Sequence, residues 1–272
     1  MSADLSVLRN NLEALERVLV AFSGGADSAF LAWVAHDTLG YESARCFTAV
    51  SPSIADSELE DCARLAQEWG LNWEPIKTSE MENAAYRVND SDRCYYCKSA
   101  LMDVAEPVAR LHDCVVVLGV NTDDLGDHRP GQSAAQERKA RFPLVEAEFS
   151  KADVRAHSQH LGLRTWDKPA AACLASRIPY GTEVSVPLLR KLDRAESALK
   201  ALGFEQLRVR DYGEVARLEF DLEQLSVALE RRIEIIEAVK EFNSDPQIHA
   251  FIIQYPFPDG LDYESALLEV LP

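Results

Sequence analysis

The chain has 272 residues, of which 47% are hydrophobic and 27% charged, a composition typical of a globular protein with one large domain or two smaller ones. Its 28 basic and 45 acidic residues give a net charge of −17, which argues against a nucleic-acid partner, because such proteins usually carry a basic surface. No apolar run is long enough to span a membrane, and the acidic amphipathic N-terminus is unlike a signal or transit peptide, so we expect a cytoplasmic protein without a membrane partner.

The first part of the chain alternates strand and helix patterns. Buried-strand patterns lie at 17–23, 43–51, 71–78 and 114–120, and helix patterns lie between them at 27–40, 56–70 and 96–111. Unbroken apolar runs such as CVVVLGV are typical of parallel strands that are covered on both faces. Because parallel strands joined by helices form right-handed crossovers, the pattern predicts an α/β fold with a doubly wound parallel sheet.

A smaller C-terminal α+β domain is predicted after residue 182. The segments 121–147 and 164–182 are polar and contain many turn-forming residues, so we interpret both as long loops. A helix, two strands, a second helix and a last strand are then predicted at 187–203, 204–213, 214–220, 222–242 and 247–253. The expected domains are therefore 1–182 and 183–272.

The stretch between the first strand and its helix has the features of a phosphate-binding loop. It is Ser23-Gly24-Gly25-Ala26-Asp27-Ser28. Glycines let backbone amides approach a phosphate closely, and a helix N-terminus adds N–H donors and a positive dipole end. The hydroxyls of Ser23 and Ser28 can donate hydrogen bonds, and Asp27 can hold Mg²⁺. The kinase-type pattern GxxxxGK[ST] is absent.

Six cysteines divide into two groups, and a reducing compartment makes disulfides improbable. Three lie in strand-like or helix-like runs and are interpreted as buried hydrophobic residues, namely Cys46, Cys62 and Cys114. Cys94 and Cys97 form a CxxC pair at a predicted helix start, and Cys173 lies in a turn-rich segment. Soft thiolates suit an iron–sulfur cluster or zinc, although His112 and His128 lack the spacing of zinc ligands. Thiols without a metal are the third alternative.

Further polar residues are candidates for ligand binding. Those that follow the fourth strand lie at the sheet edge where α/β proteins bind ligands, and they are Asn121, Asp123, Asp124, Asp127 and Arg129. Ser176 and Arg177 closely follow Cys173, and Arg177 could hold a phosphate. Arg208 and Arg210 alternate along a strand, so both side chains face one way and could clamp a phosphate. A solvated loop or an exposed strand face is the alternative for these residues.

The motifs together resemble a known family. The SGGADS loop resembles the PP-loop of the ATP pyrophosphatase superfamily, whose fold is of the adenine nucleotide alpha hydrolase type. With RCYYCK (93–98), GVNTDDLGDHRPG (119–131), KPAAACLASRIPYG (168–181) and RVRDYGEVARLEF (208–220), the chain is similar to the LarE family of ATP-dependent sulfur transferases. The similarity extends over almost the whole chain.

This resemblance implies a specific activity. LarE proteins use ATP and Mg²⁺ to adenylate the carboxylates of pyridinium-3,5-biscarboxylic acid mononucleotide, release pyrophosphate and form thiocarboxylates for a nickel-pincer cofactor. The resemblance also implies a sulfur donor, either sulfide or a cysteine desulfurase-type source, and a homo-oligomer. The substrate phosphate is expected at Arg208 and Arg210, and a divalent metal at Glu196 and Glu219.

The resemblance leaves two sulfur mechanisms open. In one, Cys173 gives up its own sulfur and becomes dehydroalanine. In the other, Cys94, Cys97 and Cys173 hold a [4Fe–4S] cluster whose open iron carries an extra sulfide. A PP-loop tRNA thiolase and a nucleotide-binding module without catalysis are the alternative functions, and the acidic charge argues against the thiolase.

Overall fold

The computed structural model describes residues 3–126, 130–213, 215–239, 250–254 and 270–271. The chain separates into two compact units, Met1–Ala172 and Cys173–Pro272. These units are defined by compactness, and the domain boundary expected after residue 182 stays a prediction. Each unit is described separately below.

The first unit contains a parallel four-stranded sheet. Its strands are β1 (Val18–Ala21), β2 (Ala44–Val50), β3 (Asn72–Lys77) and β4 (Val115–Leu118). Their order in the sheet is β3-β2-β1-β4, so the chain moves outward on one side of β1 and then crosses to the other side. The predicted α/β fold with a parallel sheet is therefore confirmed. Ala21 is in register with Phe47 and Leu118, so the residues that follow β1 and β4 leave the same edge of the sheet.

Helices flank this sheet. They are α1 (Leu5–Leu15), α2 (Ala26–Leu39), α3 (Asp56–Trp69), α4 (Ala84–Val88), α5 (Arg93–His112), α6 (Pro130–Glu137), α7 (Pro143–Glu146) and α8 (Lys151–His160). The sheet core is buried on both faces, because Val18 and Val20 pack with Phe30 while Leu19 packs with Met102. Each such fully buried side chain contributes about 1.5–3 kcal/mol to folding.

The prediction of one long loop at 121–147 was wrong. This segment contains a 3₁₀ turn at Thr122–Gly126 and the short helices α6 and α7. Both helices start at a proline, which is well suited to the first helical position, and buried Ala135 and Leu144 hold them in place. Helix α8 was not predicted, although Ser150 and Asp153 form a capping box at its start.

The second unit is a small α+β structure. Its elements are α9 (Val186–Ala201), β5 (Leu207–Asp211), β6 (Val215–Phe220), α10 (Leu222–Glu230), α11 (Arg232–Ala238), β7 (Ala250–Gln254) and β8 (Val270–Leu271). The strand order is β5-β6-β7-β8, and only the β6–β7 pair is parallel among these strands.

One expectation for this unit changes, and part of another lies outside the described residues. The helix predicted at 222–242 is interrupted at Arg231, whose guanidinium donates to the Leu202 carbonyl at 2.9 Å. The part of the last predicted strand at 247–249 lies outside the described residues. Within the described ranges, no helix combines the length and apolar content that a membrane crossing requires.

Candidate functional site

The loop from Ser23 to Ser28 joins β1 to α2 and is closed by its own hydroxyl groups. The Ser28 hydroxyl accepts from the Ser23 backbone N–H at 3.2 Å, lies 3.0 Å from the Ser23 hydroxyl, and donates to the Gly25 carbonyl at 3.1 Å. Gly25 is the N-cap of α2 and has no side chain to bond the first-turn N–H groups. Such a helix start is suited to bind an anion.

Gly24 places this loop directly against helix α3. Its φ of +70° favours glycine, and a Cβ atom there would lie 2.9 Å from Cys62 Sγ and 3.7 Å from Leu65 Cδ1. Cys62 is fully buried, and burial raises the pKa of its thiol to about 11. The thiol therefore packs beneath the loop as a neutral group, which agrees with its interpretation as a hydrophobic residue.

Asp27, in the first turn of α2, is held on both oxygens. Its Oδ1 accepts from Asn121 Nδ2 at 3.1 Å, and its Oδ2 lies 2.6 Å from Lys151 Nζ. Asn121 is buried at the end of β4, as the sheet-edge argument predicted for that segment. Lys151 was missed, because a lysine that starts a helix carries no sequence signal for a contact with a residue so far along the chain.

The turn after β4 is bonded to itself and to α8. Asp124 Oδ2 accepts from the Asn121 N–H at 3.1 Å, and Asn121 Oδ1 accepts from the Asp123 N–H at 3.0 Å. Asp123 Oδ2 accepts from the Lys151 backbone N–H at 2.9 Å. The candidate residues Asp127 and Arg129 lie outside the described residues.

A cluster of charged side chains lies beside Gly24. Lys168 Nζ is 2.9 Å from Glu58 Oε2 and 2.8 Å from Asp61 Oδ2, and Arg164 bonds Asp61 at 2.7 Å. Burial alone would raise the pKa of Asp61, but the bonds from Arg164 and Lys168 outweigh it and lower the pKa to about 2. The cluster fastens the 164–168 segment to α3.

Cys94 and Cys97 lie at the start of α5, as expected. Their spacing of three residues places both on one helix face, with Cys94 exposed and Cys97 half-buried. A Cβ atom at Gly131 in α6 would lie 3.1 Å from the Cys94 carbonyl oxygen, so glycine allows α6 to pack closely there. Burial lowers the pKa of the Lys98 amine, an effect that the two neighbouring cysteines partly oppose.

Cys173 begins the second unit and is exposed. It precedes a 3₁₀ turn, Leu174–Arg177, whose last residue donates from Nη1 to the Cys173 carbonyl at 3.2 Å. Arg177 also forms a buried two-bond pair with Glu196, from Nε to Oε1 at 2.9 Å and from Nη2 to Oε2 at 3.2 Å. The Val209 N–H donates to the same Glu196 Oε1. The turn that carries Cys173 is thus fixed to α9 and β5.

Arg208 and Arg210 share a face of β5, as predicted, opposite Glu219 and Arg217 of β6. Arg210 bonds Glu219 Oε1 at 2.7 Å and the Ser176 carbonyl at 2.8 Å. Arg217 Nη2 lies 2.6 Å from the same Glu219 oxygen. Glu219 is therefore bound by two arginines, and its role as a metal ligand stays a prediction, as does that of Glu196.

This face is rich in positive charge. Burial lowers the pKa of Arg208, and the guanidinium groups of Arg177 and Arg210 lower it further, whereas Glu219 and Glu196 oppose the effect. Arginines that crowd one another in this way are suited to an anionic ligand such as a phosphate. This crowding of guanidinium groups in the second unit supports the prediction that Arg208 and Arg210 clamp a phosphate.

Comparison with known proteins gives three informative relatives. An uncharacterized protein of Synechocystis sp. is 48% identical over 226 residues, 83% of this chain and 84% of the relative. The pyridinium-3,5-bisthiocarboxylic acid mononucleotide synthase of Lactiplantibacillus plantarum is 37% identical over 209 residues, 76% of both chains. The chain belongs to the LarE family. An uncharacterized protein of Methanocaldococcus jannaschii is 28% identical over 239 residues, 86% of this chain and 90% of the relative, and no family model matches.

A metal centre is not assembled by the described residues of this LarE-family chain. Among them, no group of three or more His, Cys, Asp and Glu side chains could hold a metal ion. No cysteine in the described ranges is in a disulfide, and the exposed Cys94 and Cys173 are chemically suited to soft metals. The three-cysteine ligand set therefore stays a prediction from the sequence.

Gly119 gives a first prediction about the loop. A Cβ atom there would lie 2.8 Å from Ser28 N and 2.9 Å from two backbone atoms of α2. Because these are backbone atoms, neither segment can move aside easily. We expect Gly119→Ala to lower the free energy of unfolding by about 1–3 kcal/mol, measured by urea denaturation, because overpacking forces the backbone apart.

Gly25→Ala is the matched control for this loop. The nearest atom to its Cβ would be Ser23 Oγ at 3.7 Å, an ordinary contact, and its φ of −74° suits alanine. Equal stabilities of the two variants without nucleotide would contradict the close approach of Gly119 to α2.

The cluster beside Gly24 predicts a pH dependence of stability. The pKa of Asp61 falls from 3.8 to about 2 in the folded chain, which corresponds to about 2 kcal/mol of stability at neutral pH. Because the folded pKa is the lower one, this contribution is present above the unfolded pKa and is lost as the pH falls through about 2. In urea unfolding near neutral pH, the free energy of unfolding of the wild type should be about 2 kcal/mol higher than that of Asp61→Asn. This difference should become smaller in acid.

Asp37→Asn serves as the control for Asp61. Asp37 also pairs with an arginine, Arg9, but both side chains are more exposed than Asp61. Its removal should change stability by less than about 1 kcal/mol. If the difference in free energy of unfolding between wild type and Asp61→Asn stays the same in acid, charge pairing is not its origin.

Proposed function

We propose that this protein is an ATP-dependent sulfur transferase that converts pyridinium-3,5-biscarboxylic acid mononucleotide into the bisthiocarboxylic acid. The L. plantarum relative is named as the synthase of that product. The observation that carries the proposal is the exposed thiol of Cys173, in a chain of this family whose loop at 23–28 is built to bind an anion. ATP, Mg²⁺ and the pyridinium mononucleotide are thus the proposed ligands.

The first step is adenylation of a substrate carboxylate. The loop would bind the β- and γ-phosphates of ATP, and Asp27 would hold Mg²⁺, whose charge offsets that of the phosphates. A carboxylate oxygen attacks the α-phosphorus, the bond between the α- and β-phosphates breaks, and pyrophosphate leaves. Arg208 and Arg210 would hold the substrate phosphate during this step. The product is an acyl-adenylate.

The second step delivers sulfur. The Cys173 thiolate attacks the acyl carbon and AMP leaves, which gives a thioester. Removal of the Cys173 α-proton and cleavage of its Cβ–S bond then leave the thiocarboxylate on the substrate and dehydroalanine in the chain. This route allows one sulfur transfer per protein chain, so two chains supply the two sulfur atoms of one product.

The alternative sulfur route is catalytic. Cys94, Cys97 and Cys173 would together hold a [4Fe–4S] cluster, which would supply sulfide at its open iron. The sulfide donor would be free sulfide or a cysteine desulfurase-type source, and the active protein would be a homo-oligomer. Support for this route is limited to the sequence pattern and the accessible thiols of Cys94 and Cys173.

Pyrophosphate release tests the proposal. Protein, ATP and Mg²⁺ are incubated with pyridinium-3,5-biscarboxylic acid mononucleotide or with nicotinamide mononucleotide, which has no carboxylate on its ring. Release is expected with the first compound alone, because only it offers an oxygen nucleophile of the proposed kind. Release with neither compound would contradict the proposal, and release that requires tRNA would favour the thiolase.

A further inference from the structure

Tyr212 extends the face of β5 that carries Arg208 and Arg210. Residues two apart in a strand point to the same side, and the Tyr212 N–H donates to the Val215 carbonyl at 2.9 Å, so the pairing with β6 continues to this residue. The Arg217 guanidinium, which is opposite Arg210 in the strand pair, lies 4.8 Å from the centre of the Tyr212 ring. Arginines and an aromatic ring therefore share one surface of the second unit.

The turn between β5 and β6 fixes the backbone of Tyr212. Asp211, the residue before it, is buried, and its Oδ1 accepts from the Gly213 N–H at 2.8 Å. The φ of Gly213 is +83°, which favours glycine in this turn. The other oxygen of Asp211 lies 3.3 Å from Lys191 Nζ of α9. The Tyr212 ring is thus presented from a well-held position.

Arg217 orients the Tyr212 ring, which stays accessible. Arg217 Nη2 lies 2.6 Å from Glu219 Oε1 and its side chain is 12% exposed, so its guanidinium is a fixed partner for the ring. Tyr212 itself is 46% exposed. Because the ring is already oriented, it loses little conformational freedom when a ligand stacks on it.

The chemistry of this surface matches a pyridinium mononucleotide. Arg208 and Arg210 are suited to the phosphate. Tyr212 is two residues beyond Arg210, about 7 Å along the strand, a spacing that the ribose of a mononucleotide can bridge. The face of a tyrosine ring attracts cations, and a pyridinium is a flat aromatic cation that can also stack on it.

We propose that Tyr212 is a specificity-determining residue that stacks on the pyridinium ring of a mononucleotide whose phosphate is bound by Arg208 and Arg210. The ligand class is that of the proposed substrate, so this inference rests on the proposed function. The arginines select the phosphate, and Tyr212 selects the positively charged ring. Tyr212 acts in binding and takes no part in the transfer of sulfur.

Three ligands, added without ATP, test this role by calorimetry. Nicotinamide mononucleotide has a pyridinium ring, its reduced form has a neutral ring, and ribose 5-phosphate has no such ring. In Tyr212→Leu, we expect the Kd of nicotinamide mononucleotide to rise at least about threefold, because a cation–π contact is lost. The Kd values of the reduced form and of ribose 5-phosphate should change less than about twofold.

Three control variants separate the ring contact from the phosphate contact. Tyr212→Phe keeps the aromatic face and should bind all three ligands like wild type. Tyr41→Leu removes an exposed tyrosine between α2 and β2 and should do the same. Arg208→Met should weaken all three, because each carries a phosphate.

Two outcomes for Tyr212→Leu would overturn the inference. One is unchanged affinity for nicotinamide mononucleotide, and the other is a loss of affinity that is equal for the reduced form or for ribose 5-phosphate. The test needs neither ATP nor a carboxylate on the ring. An absence of pyrophosphate release would therefore contradict the proposed function and leave this binding result standing.

Discussion

Replacement of Cys173 by serine is expected to lower thiocarboxylate formation at least a thousandfold while pyrophosphate release stays within about threefold of wild type. The serine hydroxyl has no sulfur to give, and it is a poor ligand for a cluster iron. Both proposed sulfur routes therefore fail, whereas the loop at 23–28, which is proposed to bind ATP, is untouched. Product is measured by mass spectrometry and pyrophosphate by a coupled assay.

Other cysteines supply the controls for this variant. Cys114→Ser should keep full product formation, because Cys114 lies just before β4, where no sulfur chemistry is proposed. Cys94→Ser separates the two routes: loss of product would favour the cluster, and retained product would favour Cys173 alone. Repeated turnovers by Cys173→Ser would contradict a role for this thiol in sulfur transfer.

Removal of the Arg177 guanidinium should produce the largest loss of stability. Arg177 and Glu196 are 9% and 4% exposed, and Arg177→Met leaves the Glu196 carboxylate buried without its main partner. Breaking a buried ion pair on one side typically costs about 3–5 kcal/mol. The Cys173 and Ser176 contacts of Arg177 are lost as well. Urea unfolding of the full chain measures the change.

An exposed pair of the same geometry is the control. Arg141 bonds both oxygens of Glu146 at 2.8 Å, but its side chain is 51% exposed. Arg141→Met should cost less than about 1 kcal/mol. The double variant Arg177→Met with Glu196→Met should recover much of the loss, because no buried charge is left. Equal costs for the two single arginine variants would mean that burial of the pair is not what makes it important.

The parts of the site that lie close together in the sequence were predictable. The phosphate loop consists of consecutive residues from Ser23 to Ser28, and the strand and helix around it follow from hydrophobic patterns. The shared face of Arg208 and Arg210 follows from the two-residue period of a strand, which the register of β5 and β6 confirms. Local geometry alone decides such features.

The contacts that depend on tertiary packing were not predictable. Lys151 and Asp27 are 124 residues apart in the chain, and neither residue type specifies the other as its partner. The same holds for Cys62, which meets Gly24 because α3 packs against the loop. The resemblance implies a divalent metal at Glu196, and no sequence pattern indicates that its carboxylate is bonded to Arg177. Acidic residues are frequent in this chain, so only the fold selects their partners.

The proposed function requires this chain to couple pyrophosphate release to the exchange of a carboxylate oxygen for sulfur. Anaerobically prepared protein is incubated with ATP, Mg²⁺ and pyridinium-3,5-biscarboxylic acid mononucleotide, with and without sulfide, and both products are quantified. We expect one pyrophosphate for each oxygen-to-sulfur exchange found by mass spectrometry. Pyrophosphate release without any sulfur-containing nucleotide, or sulfur transfer without pyrophosphate, would contradict it.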